Sequence, residues 1–245
     1  MTMTECANPL DSASNSLAGV IILAGGASKR MGTPKAKLML STGEPLLDYH
    51  VRHALKLNVP IMIADNARGF TIDSTLIDNE LPSPVIHIAD YDPSDIKANQ
   101  SNEHSKTGGA LVAIESALQA LTKMSDSGTL KNSQSSPLSW LLVISCDSLI
   151  PAMDLWQKLE SFIGQDADKK VICLADEHHL YPLLGIYQLS IKPNLKAYID
   201  SGERRVMAFI KPMAHSVKFS KQWQHLTNFN TPTEFAFACT ALNDL

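Results

Sequence analysis

The stretch "VIILAGGASKRMGTPKAKL" (residues 20–38) begins as an apolar, β-branched run, breaks at two adjacent glycines, and then sets basic residues among small ones. The run reads as a buried strand and the glycines as a turn at its carboxyl end. In open parallel sheets ligands bind beyond the carboxyl ends of the strands. Gly25 and Gly26 let backbone amides approach a ligand with no Cβ in the way, while Arg30, Lys35 and Lys37 offer charge to phosphate oxygens. The stretch is therefore a candidate phosphate cradle. Two glycines alone would more simply make a surface turn with solvated lysines; the coincidence of strand, glycines and cations favours the cradle. Gly32 is followed by Thr33 rather than Lys, so this is not a P-loop, and no GxGxxG dinucleotide fingerprint is present.

Outward from this stretch, apolar runs alternate with helical patterns. Strands are predicted at 20–23, 60–64, 85–89, 141–145, 171–175 and 183–189, mostly as continuous runs, which imply burial on both faces. Helices are predicted at 45–57, 109–123 and 154–163, with another ending near Gly202. A last helix is introduced by Thr231 as N-cap, Pro232 in the first turn and Glu234 as the reach-back carboxylate of a capping box. The alternation predicts an α/β fold with a mainly parallel central sheet and helices on both faces. Two polar stretches, 91–107 and 125–137, read as mobile insertions or lids, and residues 1–16 as a disordered tail before a single domain spanning 17–245.

Composition sets limits on function. The chain has 245 residues and a net charge of −4, with 44% hydrophobic and 19% charged residues, so the cations after Gly26 are a local feature and no nucleic-acid-binding face is expected. Cys6, Cys146, Cys173 and Cys239 form no CxxC pair, which argues against a zinc site or a disulfide framework. The leader lacks a basic and an apolar region, and no apolar run is long enough for a membrane span. A cytoplasmic protein without membrane contact is expected.

A second site is expected where "WLLVISCDSLIP" (residues 140–151) leaves the fourth strand run. Asp147 is a carboxylate at the exit of a very apolar strand, where desolvation is costly unless a cation or donor meets it. It either caps the following turn or, at the same sheet edge as the cradle, holds Mg²⁺ together with substrate phosphates. The cradle makes the metal reading the stronger one.

"LAGGASKRMG" followed by Lys35, "ISCDSLIP", "AYIDSGERRVMAFI" and "NFNTPTEF" together resemble the molybdenum cofactor guanylyltransferases, the MobA family, over about residues 19–235. The resemblance implies a Rossmann-like nucleotidyltransferase fold in three layers, and an enzyme that joins GMP from Mg·GTP to the terminal phosphate of molybdopterin, releasing pyrophosphate. By the same resemblance Leu23, Ala24, Gly25 and Gly26 contact the nucleotide, Lys35 its phosphates, and Asp90, with Asp92 as the alternative, the nucleoside end. Asp147 is then the Mg²⁺ ligand. Arg30, Lys35 and Asp147 form the catalytic set, while Arg204, Arg205, Asn228 and Asn230 bind the pterin. Transient contact with cofactor-synthesis or molybdoenzyme-maturation proteins is a further expectation.

The sequence departs from the family pattern in places. Pro34 stands where the family commonly has Asp, Ala64 aligns with its Asn so that Asn66 is the substitute, and "GGALV" replaces its GPLAG turn. Attack of one phosphate on another needs cations and positioning more than a side-chain nucleophile, and no Ser/His/Asp or Cys/His set is evident. Arg204 and Arg205 follow a helix end, so a solvated cation facing the helix dipole is the alternative for one of them. His50 and His53, and the adjacent His178 and His179, lack ligand partners at metal spacing and read as surface or partly buried residues. Two other functions remain open at this stage: a cytidylyltransferase or sugar-phosphate nucleotidyltransferase, and a non-catalytic nucleotide-binding or cofactor-delivery protein.

Overall fold

The computed structural model describes residues 17–26, 28–77, 83–90, 108–130, 136 and 138–243. Its centre is a seven-stranded sheet in the order β3-β2-β1-β4-β6-β5-β7. The strands are β1 (Leu17–Leu23), β2 (Ile61–Ala64), β3 (Val85–His87), β4 (Trp140–Ser145), β5 (Val171–Ala175), β6 (Leu180–Gln188) and β7 (Ala214–Lys218). β1 lies parallel between β2 and β4, with Ile21 opposite both Met62 and Val143. β6 runs antiparallel to both β4 and β5, which leaves β5 parallel to β4, and β7 pairs parallel with β5. The carboxyl ends of β1, β2, β4 and β5 therefore emerge at one edge.

The continuous apolar runs follow from cover on both faces. Val20 and Ile22 of β1 join one core with α1 (Leu46–Leu55), α3 (Ala152–Glu160) and α6 (Pro232–Asn243). Ala18 and Ile21 join the other, with α2 (Gly109–Asp126), α4 (Lys192–Asp200) and α5 (Val206–Ile210). The sheet sits between two helical layers, the expected α/β architecture. Among the described residues no helix is long and apolar enough to cross a membrane.

The sequence reading and the structure differ in a few places. β7 was not anticipated because Ala214–Lys218 holds no continuous apolar run and buries only Val217, as suits an edge strand. β6 begins three residues before the predicted start and passes through Pro182, which cannot donate to a ladder. A register shift absorbs it: Cys173 pairs with Gly185, but the next residue, Leu174, pairs with Tyr181. α2 takes in Ser125 and Asp126 from the polar stretch 125–137, of which residues 131–135 and 137 lie outside the described residues. The stretch 91–107 with Asp92, and the tail 1–16, also lie outside them.

α1 packs beneath the β4 exit. Tyr49 donates its hydroxyl proton to the Leu149 carbonyl at 2.7 Å, and the neighbouring His50 is completely buried rather than at the surface, against the Ser148 backbone. Burial holds the His50 imidazole down at about 4. The unfolded chain protonates this ring near the ordinary value of 6.5, so the unfolded state binds the extra proton between those limits. Stability is predicted to be full above about pH 6.5 and to fall as pH drops towards 4. Denaturant unfolding across that window should show a slope that His50→Leu reduces.

Candidate active site

Leu23 ends β1 and its carbonyl accepts the Cys146 N–H at 3.1 Å, while Ala24 N–H donates to the Ala64 carbonyl at 2.9 Å. These bonds tie the glycine turn to the exits of both neighbouring strands. The two glycines then serve different ends. A Cβ on Gly25 would lie 2.9 Å from Asn66 Cβ, so this glycine is required by the close approach of the β2 exit. A Cβ on Gly26 would meet nothing within 4 Å, so its open side is the one available to a ligand.

Beyond the glycines, Ser28 adopts the left-handed region (φ 45°), and its hydroxyl oxygen accepts the Lys35 N–H at 3.2 Å. The chain is thereby folded back so that a short 3-10 turn, Lys35–Lys37, anchored by the buried Ala36, aims Lys35 across the sheet edge. Its ammonium donates to Asn230 Oδ1 at 3.0 Å and lies 3.6 Å from Asp147 Oδ2, with the Phe229 ring 5.5 Å away. Three distant segments of sequence converge on this one nitrogen.

The C-terminal segment is held by backbone. Asn228 N–H donates to the Asp147 carbonyl at 2.8 Å, Leu149 N–H to the Leu226 carbonyl at 2.7 Å, and Ser148 bridges Thr227 antiparallel. At the start of α6 the expected capping box is formed. Glu234 Oε2 accepts the N–H groups of Asn230 (2.6 Å) and Thr231 (3.0 Å), and the Thr231 hydroxyl accepts Glu234 N–H at 3.3 Å. The motif "NFNTPTEF" thus acts as a clamp that seats Asn230 against Lys35.

A cavity of about 470 Å³ opens here, within the range of small-molecule sites. Leu23, Ala24, Gly25, Gly26, Arg30 and Lys35 form one part of its wall, and Asn66, Asp90, Asp147 and Asn230 of the expected residues another. Lys29, Arg68, and Gly109 and Ala110 at the start of α2, which sequence reasoning missed, also line it. Arg68 donates to the Gly26 carbonyl at 3.0 Å from a loop in which Asn66, Ala67 and Gly69 all have positive φ. Its signal was available: "DNARG" directly follows a strand at the ligand-binding edge. Burial pushes the Asp90 carboxyl up, and the neighbouring Asp65 charge adds to this against a Gly108 backbone hydrogen bond. Burial and Asp147 push the Cys146 thiol up to about 12, so it stays protonated.

The acceptor role that the resemblance gives Arg204 and Arg205 has no counterpart in the cavity wall. Arg204 donates to the carbonyls of Ile199 (2.6 Å) and Glu203 (2.7 Å), closing the end of α4. Arg205 is largely exposed, with Glu203 3.7 Å away. Asn228 also stands outside the wall, with its backbone N–H on the Asp147 carbonyl and its backbone carbonyl accepting from Asn230. Among the described residues no group of three His, Cys, Asp or Glu side chains could by itself hold a metal. Mg²⁺ does not demand one, since it commonly takes one or two carboxylates, substrate phosphates and waters, and Asp147 fits that pattern.

A glycine turn, a lysine and a strand-end carboxylate converge at the carboxyl edge of the sheet, where open parallel sheets bind ligands. Residues 20–217 match the MobA-like NTP transferase domain, and the chain belongs to that family. It is 24% identical over 215 residues to the molybdenum cofactor guanylyltransferase of Vibrio atlanticus, covering 87% of this chain and 91% of that protein. With the Haemophilus influenzae enzyme of the same name identity is 33% over 107 residues, 43% of this chain and about half (55%) of the relative. The fold is shared with molybdopterin-guanine dinucleotide biosynthesis protein A from Archaeoglobus fulgidus (TM-score 0.61, 16% identity, 93% of this chain and 100% of that one). It is shared also with 4-diphosphocytidyl-2C-methyl-D-erythritol synthase (TM-score 0.52, 9% identity, 92% and 98%).

The two glycines separate by experiment. Gly25→Ala is expected to lower the thermal midpoint by forcing Asn66 away, whereas Gly26→Ala leaves it unchanged within error and weakens nucleotide binding; parallel melts and nucleotide titrations check both.

Proposed function

We propose that the protein transfers GMP from Mg·GTP to the terminal phosphate of molybdenum-bound molybdopterin, forming the guanine dinucleotide cofactor and releasing pyrophosphate. The observation that carries this reading is the placement of the Lys35 ammonium between Asn230 and Asp147 in the same cavity as the glycine turn. The guanylyltransferase names of relatives aligned over most of the chain support the choice of substrates.

The open side of Gly26 and the cations Lys29, Arg30 and Arg68 receive the triphosphate, spreading its charge over several donors. Lys35 lies where the transferred phosphoryl group and the attacking acceptor phosphate, both anionic, must come together, and its ammonium offsets their repulsion. The acceptor phosphate is ionised at neutral pH, so no side chain need remove a proton. Asp147 would hold Mg²⁺, which when bound supplies charge neutralisation at the phosphates. Asn66, Asp90 and the start of α2 line the rest of the cavity and are left to the nucleoside.

Asp147→Asn preserves shape and removes the charge. It is expected to fold normally and to lower GMP transfer at limiting Mg²⁺ by about a hundredfold or more; unchanged turnover would overturn the metal role. Titration with GTP, CTP and ATP, each with Mg²⁺, should show GTP bound tightest. Preference for CTP would move the reading to a cytidylyltransferase, and tight binding without any transfer would move it to a delivery protein.

A further inference from the structure

The loop that leaves β2 is held by a buried carboxylate. Asp65 follows β2 directly, is almost completely buried, and does not line the cavity. Its Oδ2 accepts the Phe70 N–H at 3.0 Å, and its backbone carbonyl accepts the Arg68 N–H at 3.3 Å. His87 Nδ1, on the neighbouring strand β3, lies 3.2 Å from the same Oδ2. The β2–β3 register, with Ile63 opposite His87, brings that ring to the β2 exit. The Phe70 side chain is itself buried, with the Lys37 ammonium 5.6 Å from the centre of its ring.

The loop needs such ties because its backbone is strained. Asn66, Ala67 and Gly69 all lie in the left-handed region (φ 57°, 56° and 62°), which glycine takes freely and a residue with a Cβ takes only at a cost. A backbone of this kind persists where its surroundings over-determine it. What the loop presents is Asn66, against which Gly25 packs, and Arg68, whose Nη1 donates to the Gly26 carbonyl at 3.0 Å. That bond uses one guanidinium N–H, and Arg68 lines the cavity wall, where the same fork can meet phosphate oxygens.

We propose that Asp65 is a positioning residue for nucleotide binding: with His87 as its anchor on β3, it locks the loop 65–70 so that Arg68 meets the triphosphate beside the glycine turn. Asp65 itself touches no substrate in this arrangement. Its contacts with Phe70 and His87 fall on one oxygen, so the loop requires a hydrogen-bond acceptor at that point rather than a further negative charge. This role rests on Arg68 being one of the triphosphate cations, as proposed above.

Asp65→Asn keeps an acceptor oxygen in that place, and Asp65→Ala removes it. In the ligand-free protein the backbone amides of Arg68 and Phe70 should exchange slowly with solvent in the wild type and in Asp65→Asn, and at least about tenfold faster in Asp65→Ala. The dissociation constant for Mg·GTP should rise about tenfold in Asp65→Ala and in Arg68→Ala, and stay within about twofold of the wild-type value in Asp65→Asn. In an Arg68→Ala background, Asp65→Ala should weaken binding no further. His87→Phe, at an exposed position, supplies the same comparisons should Asp65→Ala fail to fold: both amides exchange faster, and the loss of affinity vanishes in the Arg68→Ala background. Unchanged exchange in Asp65→Ala overturns the proposal, and so do full affinity with a loosened loop, an Asp65→Asn variant as weak as Asp65→Ala, or losses that add to that of Arg68→Ala. Full affinity in Arg68→Ala overturns it as well, by removing the group that Asp65 is said to position. A wild type that binds no Mg·GTP refutes the guanylyltransferase reading instead, and the amide exchange alone then decides whether Asp65 holds the loop.

Discussion

An ammonium group drawn towards the interior of a protein must be met by acceptors or counter-charge, or its side chain turns back to water. Lys35 is met by the Asn230 amide oxygen and, slightly farther off, by the Asp147 carboxylate. Neither partner is local: one lies 195 residues on and the other leaves the neighbouring strand. The parallel pairing of β1 with β4 brings the first two groups to one edge, and the backbone bridge from Asn228 to Asp147 brings the third. A slip of one residue in the β1–β4 register would turn every side chain of one strand to the opposite face. Burial of both faces of the sheet is therefore what fixes the distance between cation and carboxylate.

The fold was legible because its strands are covered on both sides. Runs such as "VIIL" and "LLVIS" announce burial directly, and the glycine turn announces which edge receives a ligand. β7 escaped because an edge strand needs no continuous apolar run, and the start of β6 escaped because Pro182 reads as a terminator while a register shift accommodates it. The glycine-turn end of the cavity was legible for the same reason as the fold: Gly25 and Asp147 sit at strand exits, and Lys35 in the loop that follows the first of them. Arg68 was missed although it occupies an equivalent position after β2, since the reading there was drawn to Asn66. Arg204 illustrates the opposite case. A basic pair after a helix carries no mark in the sequence that tells a ligand-facing arginine from one bonded to the helix's last carbonyls.

The C-terminal motif changes meaning once placed. Read alone, the asparagines of "NFNTP" suggest either turn chemistry or direct recognition of a ligand. In the structure Asn228 does adopt a left-handed turn conformation (φ 59°), and the Asn230 amide is committed both to the Asn228 backbone carbonyl and to Lys35. Turn chemistry and function are not alternatives here. The turn presents a carbonyl to Asn230, and the capping box at α6 fixes the backbone from which Asn230 reaches Lys35. A helix terminus more than 190 residues away in sequence thereby sets the geometry of the lysine in the first loop.

The groups withheld from chemistry complete the argument for a site that works by charge and position. Cys146, the one thiol in the described cavity wall, borders Asp147, and burial together with that charge raises it far above neutrality, so it is a poor nucleophile. His50, the imidazole packed beneath the β4 exit, is buried and kept neutral, out of reach of the cavity wall. What does face the cavity is a row of permanent cations, the open side of a glycine and two carboxylates. That inventory suits a reaction whose nucleophile arrives already ionised on the substrate and whose leaving group departs as an anion, because every step then turns on where negative charge is held rather than on where a proton goes.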